Sequence, residues 1–235
     1  MKKKMERHRQ TRRLLGTGIM VSITACGLVC AAVPRPARAN GLSANAILEK
    51  MEEAGKHIKG LKAGFHQTRT YALFDDKSDS LGTLYFKKPA KMLWQYQSPD
   101  KNSIYISEKQ ALMYLPDIKQ VQKISLLRDR KTESLLIGFG NSAEEIQRNF
   151  NVEVLPPKNG CQVLDLTPKR KEISSQFQKL RLAINPENWL PHTIERFEPG
   201  GDTTVFTFSN IDTNVKLKDN FFEFKIPKDA EVVEY

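Results

Sequence analysis

Two strand-like runs meet at a Lys-Pro turn between residues 81 and 99, and each has one apolar side. Leu84 and Phe86 share a face of the first run; in the second, Met92, Trp94 and Tyr96 alternate with Leu93, Gln95 and Gln97. A period of two gathers such residues on one side of a sheet. That side is either a sealed core or an apolar cavity, and periodicity alone leaves the choice open. Upstream the period becomes helical. Ile47, Met51, Ala54, Ile58 and Leu61 recur at steps of three and four, which predicts a helix from Ser43, its N-cap, to about Lys62 with one apolar stripe. Glu49, Glu52 and Glu53 come early in it and Lys56, Lys59 and Lys62 late, as the helix dipole favours.

From Gly64 to about Ile124 the pattern predicts strands, with turns at Asp75 to Ser80 and at Ser98 to Asn102. Ser142-Ala143-Glu144-Glu145 has the form of a capping box opening a helix through Phe150. After the turn at Pro156 to Gly160, strands are expected at 161–166, 177–184, 190–197, 203–209, 213–218 and 221–226. Asn185 to Asn188 and Pro199 to Asp202 are hairpin-length connections, so neighbouring strands should pair antiparallel. The fold class is α+β and mainly antiparallel β, with more sheet than its few helices can cover. A broad curved sheet of that kind needs its concave face filled, by core or by ligand.

The first residues read differently. Met1 to Arg13 is basic, Leu14 to Val33 is apolar, and Ala37-Arg38-Ala39 ends in a small-x-small pattern, so residues 1–39 are expected to be a secretory signal peptide cut after Ala39. Gly16, Gly18, Ser22, Thr24 and Gly27 dilute the apolar run as a membrane anchor. Ile23-Thr24-Ala25-Cys26 also has the form of a lipoprotein processing box, which would leave a lipidated Cys26. The segment holds nine Lys and Arg against one acid, Glu6, so its removal takes the formal charge from +10 to +2. A nearly neutral chain has no electrostatic case for binding nucleic acid. Residues 40–235 suit a single domain. Cys161 is then the one remaining thiol and reads as a buried apolar residue, since it has no partner for an internal disulfide.

The chemistry-bearing motifs are few. His57, His66 and His192 have no metal-ligand spacing, and neither a nucleophile elbow nor a P-loop is present, so no catalytic residue, metal or cofactor is expected. Gly138-Phe139-Gly140-Asn141-Ser142-Ala143 fits a loose dinucleotide pattern, but without a parallel βαβ unit it reads as a connection into a helix. The basic run Lys169-Arg170-Lys171 reads as a solvated hairpin tip.

Several segments together resemble the periplasmic outer-membrane lipoprotein carriers, the LolA-like family. They are the opening helix leading into Ala63-Gly64-Phe65-His66-Gln67-Thr68, then Gly82-Thr83-Leu84-Tyr85-Phe86-Lys87-Lys88-Pro89 with Trp94-Gln95-Tyr96 and Ser98-Pro99, then Ser103-Ile104-Tyr105-Ile106-Ser107, Val163 to Lys169, and Phe222 to Pro227. The resemblance implies an unclosed, half β-barrel with a helical lid over an apolar cavity. It implies a non-enzymatic, monomeric periplasmic carrier of acylated lipoproteins. The expected partners are an inner-membrane lipoprotein-releasing ABC transporter as donor and an outer-membrane lipoprotein receptor as acceptor. Leu84, Phe86, Met92, Trp94 and Tyr96 are then expected to line the cavity, with Ile47, Met51 and Ile58 on the lid. Lys88 stands where the family has a basic residue, usually Arg, that latches the lid; a Lys lacks the planar fork of an Arg. A lipid-sensing signalling module of the same fold and a receptor anchored at Cys26 are the alternative readings.

Overall fold

The computed structural model describes residues 41–107, 109–125, 137 and 139–235; the expected signal peptide and Cys26 lie outside the described residues. Helix α1, Ala44–His57, starts as the sequence predicts, with Ser43 Oγ accepting from the Ala46 amide at 3.2 Å. It ends earlier than expected. Ile58 is its C-cap and Leu61 already belongs to strand β1, Gly60–Tyr71. The apolar spacing runs on because Leu61 enters the same interior from a strand, so periodicity alone could not mark the break.

The sheet continues with β2, Asp76–Lys87; β3, Lys91–Ser98; β4, Ser103–Ile106; β5, Gln110–Leu115; and β6, Gln120–Ser125. The first turn is shorter than the polar run Asp75 to Ser80 suggests. Tyr71 pairs with Asp76, so residues 76–80 are an exposed part of β2, and Asp75 takes the left-handed conformation at φ 49°. Polar composition signalled exposure there and not a loop. Helix α2, Ala143–Asn149, opens at Ser142, whose Oγ accepts from the Glu145 amide at 3.1 Å, and Glu52 of α1 accepts from the Ala143 amide at 2.9 Å. Strand β7, Phe150–Lys158, runs where the sequence suggests no strand, because Pro156 and Pro157 read as a turn. β8, Cys161–Pro168, and the single-turn helix α3, Lys171–Ser174, follow; the basic run thus leads into helix and is not a hairpin tip. Then come β9, Lys179–Ile184; β10, Pro191–Phe197; and β11, Thr203–Asp212.

Residues 213–226 do not form the two expected strands. Their alternation is real, but the segment crosses the outer face of the sheet, with a 3-10 turn at Asp219–Phe222. Phe221 packs edge-on to Tyr85, and Phe224 lies between Tyr105 and Tyr114 at ring separations of 4.9 and 5.1 Å. Lys87 and Lys91 both hold Asp219, at 3.1 and 2.8 Å. Gly60 lets this strap pass, since a β-carbon there would meet the Val215 carbonyl. The strap makes an isolated parallel bridge from Asn214 to Gly60 and ends in β12, Glu231–Glu234, which pairs with β6 in parallel; the other strand pairs among the described residues are antiparallel.

The twelve strands run in the order β12-β6-β5-β4-β3-β2-β1-β11-β10-β9-β8-β7, so the sheet is unclosed, as expected. Its inner face has two buried clusters. In one, Ile47, Leu48 and Met51 of α1 and Ile146 of α2 pack on Leu164, Leu166, Leu180 and Leu182 of β8 and β9. In the other, Ile58, Leu61, Leu84, Phe86, Met92 and Phe139 gather around the ends of β1 to β3.

Candidate apolar binding cavity

Beyond the second cluster the inner face is not filled. A cavity of about 430 Å³ remains there, within the roughly 300–1,000 Å³ range of ligand sites. Strand parity selects its walls. Trp94 and Tyr96 come from β3, Ile104 and Ile106 from β4, Ala111 and Met113 from β5, and Ile124 from β6; Leu180, Ile194 and Phe206 face them from β9, β10 and β11. β6 and β9 are eight strands apart in the sheet order, about 38 Å if the sheet were flat at ~4.8 Å per strand. Both touch one cavity, so the sheet curls strongly around it.

The floor is aromatic. Phe65 stands edge-on to Trp94 and Tyr96 at 5.1 and 5.0 Å, and Trp94 meets Phe206 at 5.0 Å. Phe65 can reach across β2 because residue 82 is glycine: a β-carbon there would collide with the Phe65 ring. Tyr96 donates its hydroxyl hydrogen to Gln67 Oε1 at 2.6 Å, and burial pushes its pKa up to about 12, against a small opposing pull from the Arg196 charge. A neutral phenol with one fixed partner leaves the surrounding wall apolar.

The structure divides the five expected lining residues. Trp94 and Tyr96 line the cavity; Leu84, Phe86 and Met92 face the same side but are fully buried in the adjoining cluster, beside Phe139 and Leu61. Phe86 and Met92 pair at the sealed end of the hairpin, whereas Leu84 pairs with the cavity-lining Trp94, so the boundary between core and cavity runs between β2 and β3 at that level while the face stays the same. The expected lid residues divide too. Ile47 and Met51 belong to the β8–β9 cluster, Ile58 caps α1 in the other, and no α1 residue lines the cavity. The helix covers the neighbouring part of the inner face: Ile47, Met51 and Leu48, which lies outside the expected stripe, are buried in one cluster with residues of β8, β9 and α2. Lys88 lies just past β2, and its Nζ donates to the Lys56 carbonyl in the last turn of α1 at 3.2 Å. The sequence reading does not single out the walls from β4, β5, β6, β10 and β11; Ile104 and Ile106 of β4 and Phe206 and Phe208 of β11 do alternate, whereas β5 is a continuous apolar run and β6 and β10 space their apolar residues by three. Cys161 is a buried free thiol.

On the outer face of β8 and β9, burial pushes the Asp165 carboxyl up, but hydrogen bonds from Arg181, at 2.7 and 2.9 Å, and from Lys179 outweigh it and hold the pKa below the usual carboxylate value. Among the described residues no group of three or more His, Cys, Asp or Glu could hold a metal ion, and no helix is long and apolar enough to cross a membrane.

Comparison with known proteins agrees with this geometry. The chain is 28% identical over 179 residues to an outer-membrane lipoprotein carrier protein of Cupriavidus pinatubonensis, covering 75% of this chain and 82% of the relative. It is 30% identical over 152 residues to one of Bordetella avium, covering 65% and 70%. The crystal structure of an uncharacterized conserved protein from Thermus thermophilus shares the fold at a TM-score of 0.53 and 15% identity, over 83% of this chain and all of that one. The family described as outer membrane lipoprotein carrier protein LolA matches residues 56–225, and the chain belongs to that family.

Proposed function

We propose that this protein is a periplasmic carrier that shields the acyl chains of lipoproteins while they cross between two membranes. The observation that carries this reading is the unfilled apolar cavity on the inner face of an unclosed sheet, in a chain of the carrier family. An acyl chain in water costs about 0.8 kcal/mol per exposed methylene, so a soluble escort must offer matching apolar surface. Ile, Met and aromatic walls offer that surface without a tight polar pocket, which suits cargo that has to leave again. Carriage of this kind makes and breaks no covalent bond, and the chain is read as a non-enzyme.

In this reading residues 1–39 are the export signal, residues 40–235 the mature carrier, a releasing transporter of the inner membrane the donor and an outer-membrane receptor the acceptor. The bond from Lys88 to the last turn of α1 supports a role in holding the empty form closed. The test is direct. Mature protein should enhance the fluorescence of an environment-sensitive acyl probe, with a shift in Trp94 emission, and protein purified from periplasm should yield acylated polypeptides on extraction. A folded protein that binds no such probe would sink the proposal. Mass spectrometry of the mature N-terminus should give Asn40; an acylated Cys26 would mean an anchored receptor instead.

A further inference from the structure

The apolar cavity becomes polar at one end, and its polar groups form a row. Arg69 of β1 pairs with Thr204 of β11, and Thr204 with Arg196 of β10, so three side chains that line the cavity stand abreast on adjacent strands. The next row inward is Gln67, Phe206 and Ile194, and beyond it Phe65 pairs with Phe208. Polarity therefore falls away within two residues.

The charge of the row is already balanced. Arg69 Nη2 donates to Asp202 at 3.2 Å, with Glu198 at 3.7 Å; Arg196 Nη2 donates to Glu198 at 2.6 Å, and the Thr204 hydroxyl to the same carboxylate at 3.2 Å. Two guanidinium groups face two carboxylates. Hydrogen-bonding capacity is not balanced, because each guanidinium carries five N–H donors and no acceptor. Both Nε–H groups are buried and without a partner among the described residues, while each side chain as a whole remains more than a third exposed, so the exposed guanidinium N–H groups are the donors that a ligand meets first.

We infer that this row receives the uncharged acceptor groups at which acyl chains join their carrier molecule, ester or amide carbonyls, while the chains lie along Trp94, Ile104 and Met113. The inference rests on the carrier reading and names the part of the cargo it recognises. A carbonyl oxygen can accept from a guanidinium without adding charge. A phosphate or free carboxylate would have to sit beside Glu198 and Asp202 or displace one of them, at the cost of a broken charged pair.

The test displaces a fluorescent acyl probe from the mature protein with ligands of one chain length, all below their aggregation concentrations: an alkane, its methyl ester, the monoacylglycerol, the free acid and the alkyl phosphate. The two esters should bind about tenfold more tightly than the alkane, as one or two charge-assisted hydrogen bonds allow, and the charged ligands no more tightly than the esters. Arg69→Gln with Arg196→Gln should remove the ester advantage, read as the ratio of ester to alkane affinity within the same variant. The ligand series in the unaltered protein decides the matter even if that variant does not fold. Equal binding of ester and alkane would overturn the inference while leaving the carrier reading intact. Tighter binding of the acid or phosphate would make this an anion site and overturn it too. Failure of every ligand to displace the probe would leave the cavity without a head-group site, whereas failure of the probe itself to bind would remove the carrier reading as well.

Discussion

The two halves of the inner face have the same construction and opposite contents. Along β8 and β9, Leu164, Leu166 and Leu182 alternate inward and are sealed by Ile47, Leu48 and Met51 of α1 and Ile146 of α2. Along β3 to β6, Trp94, Ile104, Met113 and Ile124 alternate inward just as regularly and border empty space. What distinguishes them is whether another segment lies on the face. An apolar strand face becomes core where it is covered, by α1 over β8 and β9 and by Ile58 and Phe139 at the ends of β1 to β3, and a binding wall where that cover stops.

The widest contrast should come from truncating one side chain in each half. Leu164→Ala deletes a fully buried group under α1 and should cost about 3 kcal/mol, visible as a large fall in the midpoint of thermal or denaturant unfolding. Met113→Ala borders a space already empty and should cost about 1 kcal/mol or less while weakening acyl-probe binding. Equal losses of stability would mean that the open half is as tightly packed as the closed one.

Alkaline pH should act on the open half through Tyr96. Its phenol is pushed up to about 12 in the folded protein, against about 10 in an unfolded chain. Below pH 10 the phenol is neutral in both states; between pH 10 and 12 only the unfolded chain ionises, so stability falls across that window by on the order of 2 kcal/mol. Tyr96→Phe should flatten this part of the stability profile. An unchanged profile would show that Tyr96 is open to water.

The smallest effect on stability is expected at Lys88, on the border between the halves. Lys88→Leu removes an exposed hydrogen bond to the Lys56 carbonyl and should cost well under about 1 kcal/mol, yet change the rate of probe loading if that bond biases an empty and a loaded state. A core-sized loss of stability with unchanged loading would make Lys88 a structural residue.

How much of this was legible in the sequence follows from what each pattern reports. The β2–β3 alternation reports a face, and the face is right: Leu84, Phe86, Met92, Trp94 and Tyr96 all point inward. It cannot report what stands opposite, which is why three of the five are core in this state. The α1 stripe runs on through Ile58 and Leu61 because both helix and strand aim at one interior. Residues 213–226 alternate because they lie on a sheet, but across its outer face, and alternation is the same whether a segment lies within a sheet or on it. Arg69, Thr204 and Arg196 come together only through the pairing of β1, β11 and β10, which no local pattern encodes.

The parallel pairing of β12 with β6 has a bearing on how the protein behaves in storage and in fusions. An open sheet offers free backbone donors and acceptors at its margins, and such margins recruit strands from other molecules. Here Glu231 and Glu234 flank a two-valine strand that occupies the margin of β6. Proteolytic loss of residues 231–235 would uncover Gln120–Ser125 as a template for another copy, turning a lipid escort into a seed for its own self-association.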